Sequence, residues 1–174
     1  MSDLLIISGA PSHSAPTGVV VSLVEEQLRA AGHRVTLLDV RSLPTLSLLT
    51  EDLRDPEIAE AVSSVLSADG VVVASPVYRA AYSGLVKALL DLLPKKALRG
   101  RAVLPLATGG SQGFLVAMDY ALHPLLAAKG ADQVVRGEFV LDQNVSTPAT
   151  AAALAAATDR FTTALTPRLL RKVS

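Results

Sequence analysis

Residues 71–93 read VVVASPVYRAAYSGLVKALLDLL, and they contain an apolar run, a segment rich in turn-forming residues and a helical pattern in succession. The run at 71–74 shows no polar alternation, which is typical of a strand buried on both faces of a sheet. The pattern from about 84 to 93 repeats leucine every three or four positions and stops before Pro94. A buried strand followed directly by a helix predicts one crossover unit of a parallel sheet.

The same alternation recurs outward in both directions. Apolar runs occupy positions 4–7, 35–38, 102–107 and 134–135, and helical patterns occupy about 17–31, 56–67, 113–128 and a stretch from about 148 into the tail. Five strands alternating with five helices predict an α/β fold, a flavodoxin-like three-layer sandwich with a five-stranded parallel sheet in the order 2-1-3-4-5. Two prolines are expected to disturb it: Pro105 gives its strand no N–H, and Pro124 should kink or restart the fourth helix.

The composition fits one domain over residues 1–174, because a chain of this length buries roughly 70% of its unfolded surface. The 16 basic and 16 acidic residues give zero formal charge, which argues against a nucleic-acid partner. Cysteine is absent, so disulfides, cysteine-ligated metals and a thiol nucleophile are excluded. The three histidines are far apart in sequence, and no metal site is predicted.

The N-terminal segment MSDLLIISG is too short for a signal peptide and is acidic at Asp3. No apolar run reaches the ~18 residues that a membrane span requires. The sequence therefore predicts a cytoplasmic protein without a membrane partner.

Ligands of an open α/β sheet bind beyond the carboxyl ends of its strands, near the point where the strand order reverses. The loop after the first strand, SGAPSHSAPTG at 8–18, brings small residues and hydroxyls to a helix N-terminus and suits one phosphate monoester. Neither the Gly-x-Gly-x-x-Gly fingerprint of dinucleotide folds nor a Gly-Lys-Ser/Thr phosphate loop is present. The alternative is a surface loop whose hydroxyls only cap the helix.

Two more unusual segments come after the third and fourth strands. Residues 75–84 hold two of the three tyrosines, Tyr78 and Tyr82, and a flat ring ligand needs flat or apolar partners of this kind. The segment TGGSQG at 108–113 lets backbone come close to a ligand. The alternatives are that the tyrosines fill a subunit or helix–loop contact and that the glycines form an ordinary turn.

A phosphate site at one end and a flat heterocycle at the other describe flavin mononucleotide (FMN), and a nucleoside monophosphate also fits. A response-regulator receiver does not fit, because the positions that need acids hold Ser8-Gly9 and Ala74-Ser75.

The segment from Ser75 to Pro94 resembles the NADPH-dependent FMN reductase family nearly throughout, above all the reductase partners of two-component alkanesulfonate monooxygenases. The motif Gly109-Gly110-Ser111 and the segment Asp119-Tyr120-Ala121-Leu122-His123-Pro124 continue the similarity, which covers about residues 3–145. The long second segment is specific for the family, whereas the glycine pair alone is not.

The resemblance implies a site built from all three loops. The ring of FMN would be bordered by Pro76, Val77, Tyr78 and Arg79, its other edge wrapped by Thr108, Gly109, Gly110 and Ser111, and its phosphate held by Ser12, Ser14 and Thr17. It also implies hydride transfer from NADPH or NADH to FMN, supply of reduced FMN to a partner monooxygenase, and a homodimer or homotetramer. Tyr120 matches a tyrosine that lies in a π-helical insertion at the tetramer interface, and simple helix packing is the alternative for it.

The first loop departs from the family pattern. The family usually carries Gly-Ser and one or more arginines there, whereas this chain has Gly9-Ala10, places Ala15-Pro16 where a Ser-Arg pair is expected, and has no arginine before Arg29. Charge-assisted hydrogen bonds are roughly twice as strong as neutral ones, so loose FMN binding is expected.

Hydride transfer between two cofactors requires no protein nucleophile, and no catalytic residue is predicted. Three alternatives stay open: a quinone or azo-dye reductase that keeps its FMN, a flavin-binding electron carrier without NAD(P)H activity, and a scaffold that has lost flavin. The neutral charge weighs against the carrier, because such carriers tend to be acidic.

Overall fold

A computed structural model describes residues 1–165. The strands are β1 (Asp3–Ser8), β2 (Arg34–Asp39), β3 (Gly70–Tyr78), β4 (Ala81–Tyr82), β5 (Ala102–Gly109), β6 (Gln133–Val134) and β7 (Glu138–Leu141). The α-helices are α1 (Pro16–Ala30), α2 (Thr45–Leu49), α3 (Pro56–Ser67), α4 (Gly84–Leu92), α5 (His123–Ala128) and α6 (Pro148–Thr163). The predicted last helix is therefore confirmed from Pro148 to Thr163, where it ends with Ala164 as its C-cap, and residues 166–174 of the tail lie outside the described residues.

The sheet has the order β2-β1-β3-β5, with β6 and β7 both paired to the outer side of β5. All of these pairings are parallel, and only the short β4 runs antiparallel to β3. The predicted order 2-1-3-4-5 is confirmed, with the predicted fifth strand formed by β6 and β7 together.

Alternate residues of the central strands build two separate core layers. Leu4 and Ile6 of β1 pack with α1 and α6, whereas Leu5 and Ile7 pack with the layer that contains α3 and α4. All four side chains are at most 2% exposed. Burial on both faces explains why these strands have no polar alternation, and it makes the fold a three-layer sandwich.

Pro105 divides the predicted fifth strand in two. The carbonyl of Val103 accepts a hydrogen bond from the N–H of Val135. Main-chain groups two positions apart in a strand point to the same side, so the main-chain nitrogen of residue 105 also faces this neighbouring strand. Proline has no N–H to offer there. The pairing accordingly breaks: β6 lies beside residues 102–103 and β7 beside 106–109. The single strand predicted at 134–135 is thus wrong in extent.

The predicted helix over 113–128 consists of three segments of different pitch. A 3₁₀ turn spans Gln112–Leu115, a π-helical segment spans Met118–Leu122, and α5 comes next with Pro124 in its first turn. The backbone stays helical through Leu122 and His123, so the helix does not start anew at Pro124; it changes there from π to α hydrogen bonding. Tyr120 lies in the π-helical segment that the family resemblance implied.

Helix α3 illustrates how local chemistry fixes an element. Asp55 precedes Pro56 and accepts hydrogen bonds from the N–H groups of Glu57 and Ile58. The Ser47 hydroxyl donates to the same carboxylate, at 2.6 Å from Oδ2. This bond, followed by the two backbone donors, lowers the pKa of Asp55.

No helix within residues 1–165 is long and apolar enough to cross a bilayer.

Candidate functional site

Two contacts between distant parts of the chain bring the three sequence-predicted loops to one edge of the sheet. Gly9, which begins the first loop, donates its N–H to the carbonyl of Ala74 in β3, at 2.9 Å. Thr17 in the first turn of α1 lies hydroxyl to hydroxyl with Thr108 at the end of β5, at 2.6 Å. The carboxyl ends of β1, β3 and β5 and the N-terminus of α1 therefore form one region.

The first loop folds back onto the start of α1. A Cβ on Gly18 would lie 2.3 Å from the carbonyl oxygen of Ser12 and 2.5 Å from that of His13, so only glycine allows this approach. The N–H of Ala15 donates to the Ser12 hydroxyl at 3.1 Å, and the Ser12 and Ser14 hydroxyls lie 3.2 Å apart. Both serines are exposed.

This arrangement suits an anion, and the loop itself, residues 8–18, contains no lysine or arginine. The helix begins after Ala15, whose methyl group cannot accept a hydrogen bond from the N–H groups of the first turn. The positive end of the helix dipole points at the loop. The nearest arginine in sequence, Arg29, is held elsewhere, because it donates to Glu25 at 2.7 Å and to the Val35 carbonyl at 2.6 Å. The groups that the loop itself offers to an anion are therefore the helix dipole and the hydroxyls of Ser12 and Ser14.

Thr17 occupies a different position from the two serines. It is 1% exposed, as is Thr108, so the two hydroxyls form a buried contact beneath the loop. In this conformation Thr17 joins α1 to β5, while Ser12 and Ser14 face the solvent.

The second predicted loop is a strand extension and a hairpin. β3 continues through Tyr78, and the two residues Arg79 and Ala80 reverse the chain into β4. Their φ angles are 49° and 65°, as expected in a two-residue type I′ turn. That turn favours Asn-Gly, so Arg-Ala carries no hairpin signal, and the prediction of a loop over 75–84 is wrong for most of its length. Left-handed non-glycine residues of this kind concentrate at functional sites.

Ser75 supports this hairpin from inside the protein. Its hydroxyl accepts from the N–H of Ser83 and donates to the carbonyl of Pro76, both at 2.9 Å, and the residue is fully buried. This role was not predicted from the sequence. The available signal was a hydroxyl directly after the apolar run at 71–74.

The hairpin and the third loop together have a buried floor and an exposed rim. Pro76, Val77, Thr108 and Gly109 are buried, and Gly109 packs against the rings of Phe114 and Phe139. The exposed residues are Tyr78, Arg79, Gly110 and Ser111. An apolar floor next to exposed backbone and one aromatic side chain suits a flat heterocycle that is recognised largely by main-chain groups.

The eleven predicted site residues thus lie on three segments that the fold brings to the same edge. No group of three or more His, Cys, Asp or Glu side chains within residues 1–165 is arranged to hold a metal ion. The small, uncharged phosphate-type loop and the apolar floor fit FMN, which needs an anion site at one end and a flat, mostly apolar surface at the other.

Known proteins share both the sequence and the fold. The sequence model of the family described as NADPH-dependent FMN reductase matches residues 2–146. An FMN reductase (NADPH) of Pseudomonas putida is 40% identical over 140 residues, which is 80% of this chain and 71% of that protein. An FMN reductase (NADPH) of Escherichia coli is 37% identical over 142 residues, 82% of this chain and 74% of that one.

A solved structure is similar over nearly its whole length. The apo form of an NADH:FMN oxidoreductase (EMOB) superimposes with a TM-score of 0.91 at 36% identity, covering 97% of this chain and 92% of that one. With a family match over most of the chain and these relatives, the protein belongs to the NADPH-dependent FMN reductase family.

Proposed function

We propose that this protein is an NAD(P)H:FMN oxidoreductase that releases reduced FMN to a separate flavin-dependent monooxygenase. The observation that carries the proposal is the meeting of the uncharged anion loop, the strained hairpin and the glycine-rich third loop at one sheet edge. FMN reductases among the relatives support the reaction, and their names include both NADPH and NADH as the reductant.

We assign the residues of the site by their positions. Ser12, Ser14 and the first turn of α1 would hold the FMN phosphate, with Thr17 fixing that turn from below. Pro76, Val77, Tyr78 and Arg79 would border one side of the ring, and Thr108, Gly109, Gly110 and Ser111 the other.

The bound flavin supplies the hydride-accepting ring in this chemistry. The protein's own contribution is to orient that ring and to exclude water from its inner side. The buried Pro76 and Val77 do the latter, while exposed Gly110 and Ser111 offer main-chain groups to the edge of the ring. No side chain is required to act as an acid or a base in this assignment.

FMN is expected to behave as an exchanging substrate. The anion loop offers neutral hydroxyls and helix N–H groups in place of an arginine, and Arg29 is engaged by Glu25 and Val35. Neutral contacts are about half as strong as charge-assisted ones. Weak retention suits a protein that must release its reduced product.

Copies of the chain would assemble as a homodimer or homotetramer. Tyr120 in the π-helical segment is 81% exposed, which is unusual for a large aromatic residue. We propose that it lies at a contact between subunits. We also propose that residues 1–174 form one domain and that the protein works in the cytoplasm.

The decisive experiment is NADPH and NADH oxidation with and without added FMN, FAD or riboflavin. We expect the rate of coenzyme oxidation to rise with the FMN concentration. We also expect the reduced flavin to leave the protein, so that it passes a filter that retains the protein and then consumes oxygen. Flavin that stays bound and is reoxidised in place by a quinone or azo dye would instead identify a reductase of those acceptors. Oxidation of neither coenzyme, with a stable blue semiquinone on chemical reduction, would identify an electron carrier.

A further inference from the structure

A cavity of about 560 Å³ lies between the π-helical segment and the interrupted edge of the sheet. Its polar lining comprises Gln112, Asp119, His123, Arg136 and Glu138, and its apolar wall includes Phe139. Cavities of roughly 300–1,000 Å³ are the usual size for small-molecule sites.

Two departures from regular structure open this cavity. The π-helical segment contributes Asp119 and leads directly into His123. On the other side, Arg136 and Gly137 lie in the gap between β6 and β7, where Gly137 approaches Pro105 so closely that a Cβ would lie 2.0 Å from its carbonyl oxygen. Irregular helical turns of the π type are common at functional sites.

The cavity adjoins the third loop of the flavin site. Gln112 lines the cavity and comes directly after Ser111 in the chain. Phe139 lines the cavity and also packs against Gly109 of the same loop. A long ligand whose one end lies on the flavin could therefore extend over this loop and place its other end in the cavity.

The charges favour a neutral ring over a phosphate. Asp119 and Glu138 both face the space, and Glu138 is neutralised by Arg160, whose guanidinium lies 2.7 Å from its carboxylate. Asp119 accepts hydrogen bonds, whereas Gln112 and Arg136 can donate them. A purine base, with an amino group to donate and ring nitrogens to accept, matches this mixture.

His123 adds an independent indication of a ligand. Its Nε2 atom is buried and has no hydrogen-bond partner among residues 1–165. A buried polar atom without a partner has lost its hydrogen bonds to water without gaining others, so such atoms require an explanation. The imidazole ring lines the cavity, so a ligand that enters it lies beside the histidine whose Nε2 has no partner.

We propose that this cavity binds the adenine end of the nicotinamide coenzyme. This inference rests on the proposed function, because the nicotinamide end must lie on FMN. Asp119 and His123 recognise the edge of the base, Phe139 contributes to the apolar wall, and Arg136 stands at the exposed margin next to the ribose.

The test compares NADPH with reduced nicotinamide mononucleotide, which carries the same hydride donor but lacks the adenosine half. Two variants, Asp119→Ala and His123→Phe, each remove one polar contact, and Asp159→Ala on the exposed surface of α6 removes a carboxylate outside the cavity. The ratio of KM for NADPH to KM for the mononucleotide is expected to rise about fivefold in the two cavity variants and to stay constant in the control. Thermal melting checks that each variant is folded.

A second measurement uses ADP-ribose as the probe, with calorimetry on flavin-free protein. We expect it to bind the wild type and to bind both cavity variants about fivefold more weakly. An unchanged KM ratio in both folded variants, or ADP-ribose binding that neither variant weakens, overturns the inference. The two failures can be told apart. If the wild-type protein oxidises neither coenzyme in the presence of FMN, the proposed function is wrong. If the wild type is active but the cavity variants behave like it, only the assignment of the adenine site is wrong.

Discussion

The hydroxyls of Thr17 and Thr108 lie 2.6 Å apart, although the two residues are 91 positions apart in the chain. Their contact joins the helix that would carry the FMN phosphate to the strand that would support the FMN ring. Each is 1% exposed, so the bond is shielded from competing solvent.

Removing one of these hydroxyls should destabilise the protein. Thr108→Val or Thr17→Val leaves the other hydroxyl buried without its partner, and we expect the free energy of unfolding to fall by about 1–3 kcal/mol. The double variant should lose less than the sum of the two, because two apolar groups of the same shape leave nothing unsatisfied. Urea denaturation measures all three, with Thr108→Ser as the control that keeps the hydroxyl. Fully additive losses would show that the two residues are not coupled.

The hairpin turn offers a matched pair of alanines. Ala80 has a φ of 65°, where glycine is unstrained, so Ala80→Gly is expected to raise the free energy of unfolding by about 0.5–1 kcal/mol. Ala81, the next residue, lies in β4, where glycine only adds freedom to the unfolded chain, and Ala81→Gly should lower it by a similar amount. Differential scanning calorimetry distinguishes the two signs. A drop in stability for both variants would contradict strain at position 80.

Restoring a positive charge to the first loop should tighten FMN binding. Pro16 is the first residue of α1, where a proline-to-arginine change removes no helix hydrogen bond. Pro16→Arg is expected to lower the dissociation constant of FMN about tenfold, and the gain should shrink at high salt. Quenching of flavin fluorescence measures it, with riboflavin as the control that lacks the phosphate. Equal tightening of both flavins would place the arginine away from the phosphate.

The cap of α3 should make stability depend on acid. Hydrogen bonds from Ser47, Glu57 and Ile58 lower the pKa of Asp55 below its ordinary value of 3.8. The carboxylate therefore contributes its full stabilisation above about pH 4, and this contribution is lost as the pH falls through the lowered pKa of the folded state. Asp55→Asn, which can still cap the helix, should flatten this part of the profile of unfolding free energy against pH. A profile unchanged by the substitution would assign the acid sensitivity to other carboxylates.

The order of the sheet was predictable because burial on both faces leaves a direct trace in the sequence. The runs around Val71–Val73 contain no polar residues, and the loops between buried strands are where a ligand can reach backbone. Pro105 and Pro124 were also informative, since each removes an N–H at a known place. In the folded chain the strand beside Pro105 is divided into β6 and β7, and Pro124 lies where the helix changes from π to α hydrogen bonding.

Other parts of the site depend on contacts that no local pattern contains. The hairpin at Arg79 and Ala80 lacks the usual turn residues and is formed by pairing between β3 and β4, with Ser75 bonding across it. The burial of Thr17 depends on Thr108, far away in sequence. Neither the cavity beside His123 nor its unpartnered nitrogen could be read from spacing, because the walls come from two elements that meet only in the folded chain.

The break that Pro105 introduces also limits how copies of this protein can associate. The edge of the sheet beyond β5 is formed by β6 and β7, which have two and four residues with a gap between them. A continuous border of unpaired main-chain groups invites neighbouring molecules to extend it into fibrils or swapped dimers, and interrupted borders discourage this. Extension of the sheet by a neighbouring copy is therefore disfavoured at this edge, which leaves subunit contacts there to depend more on side chains than on strand pairing.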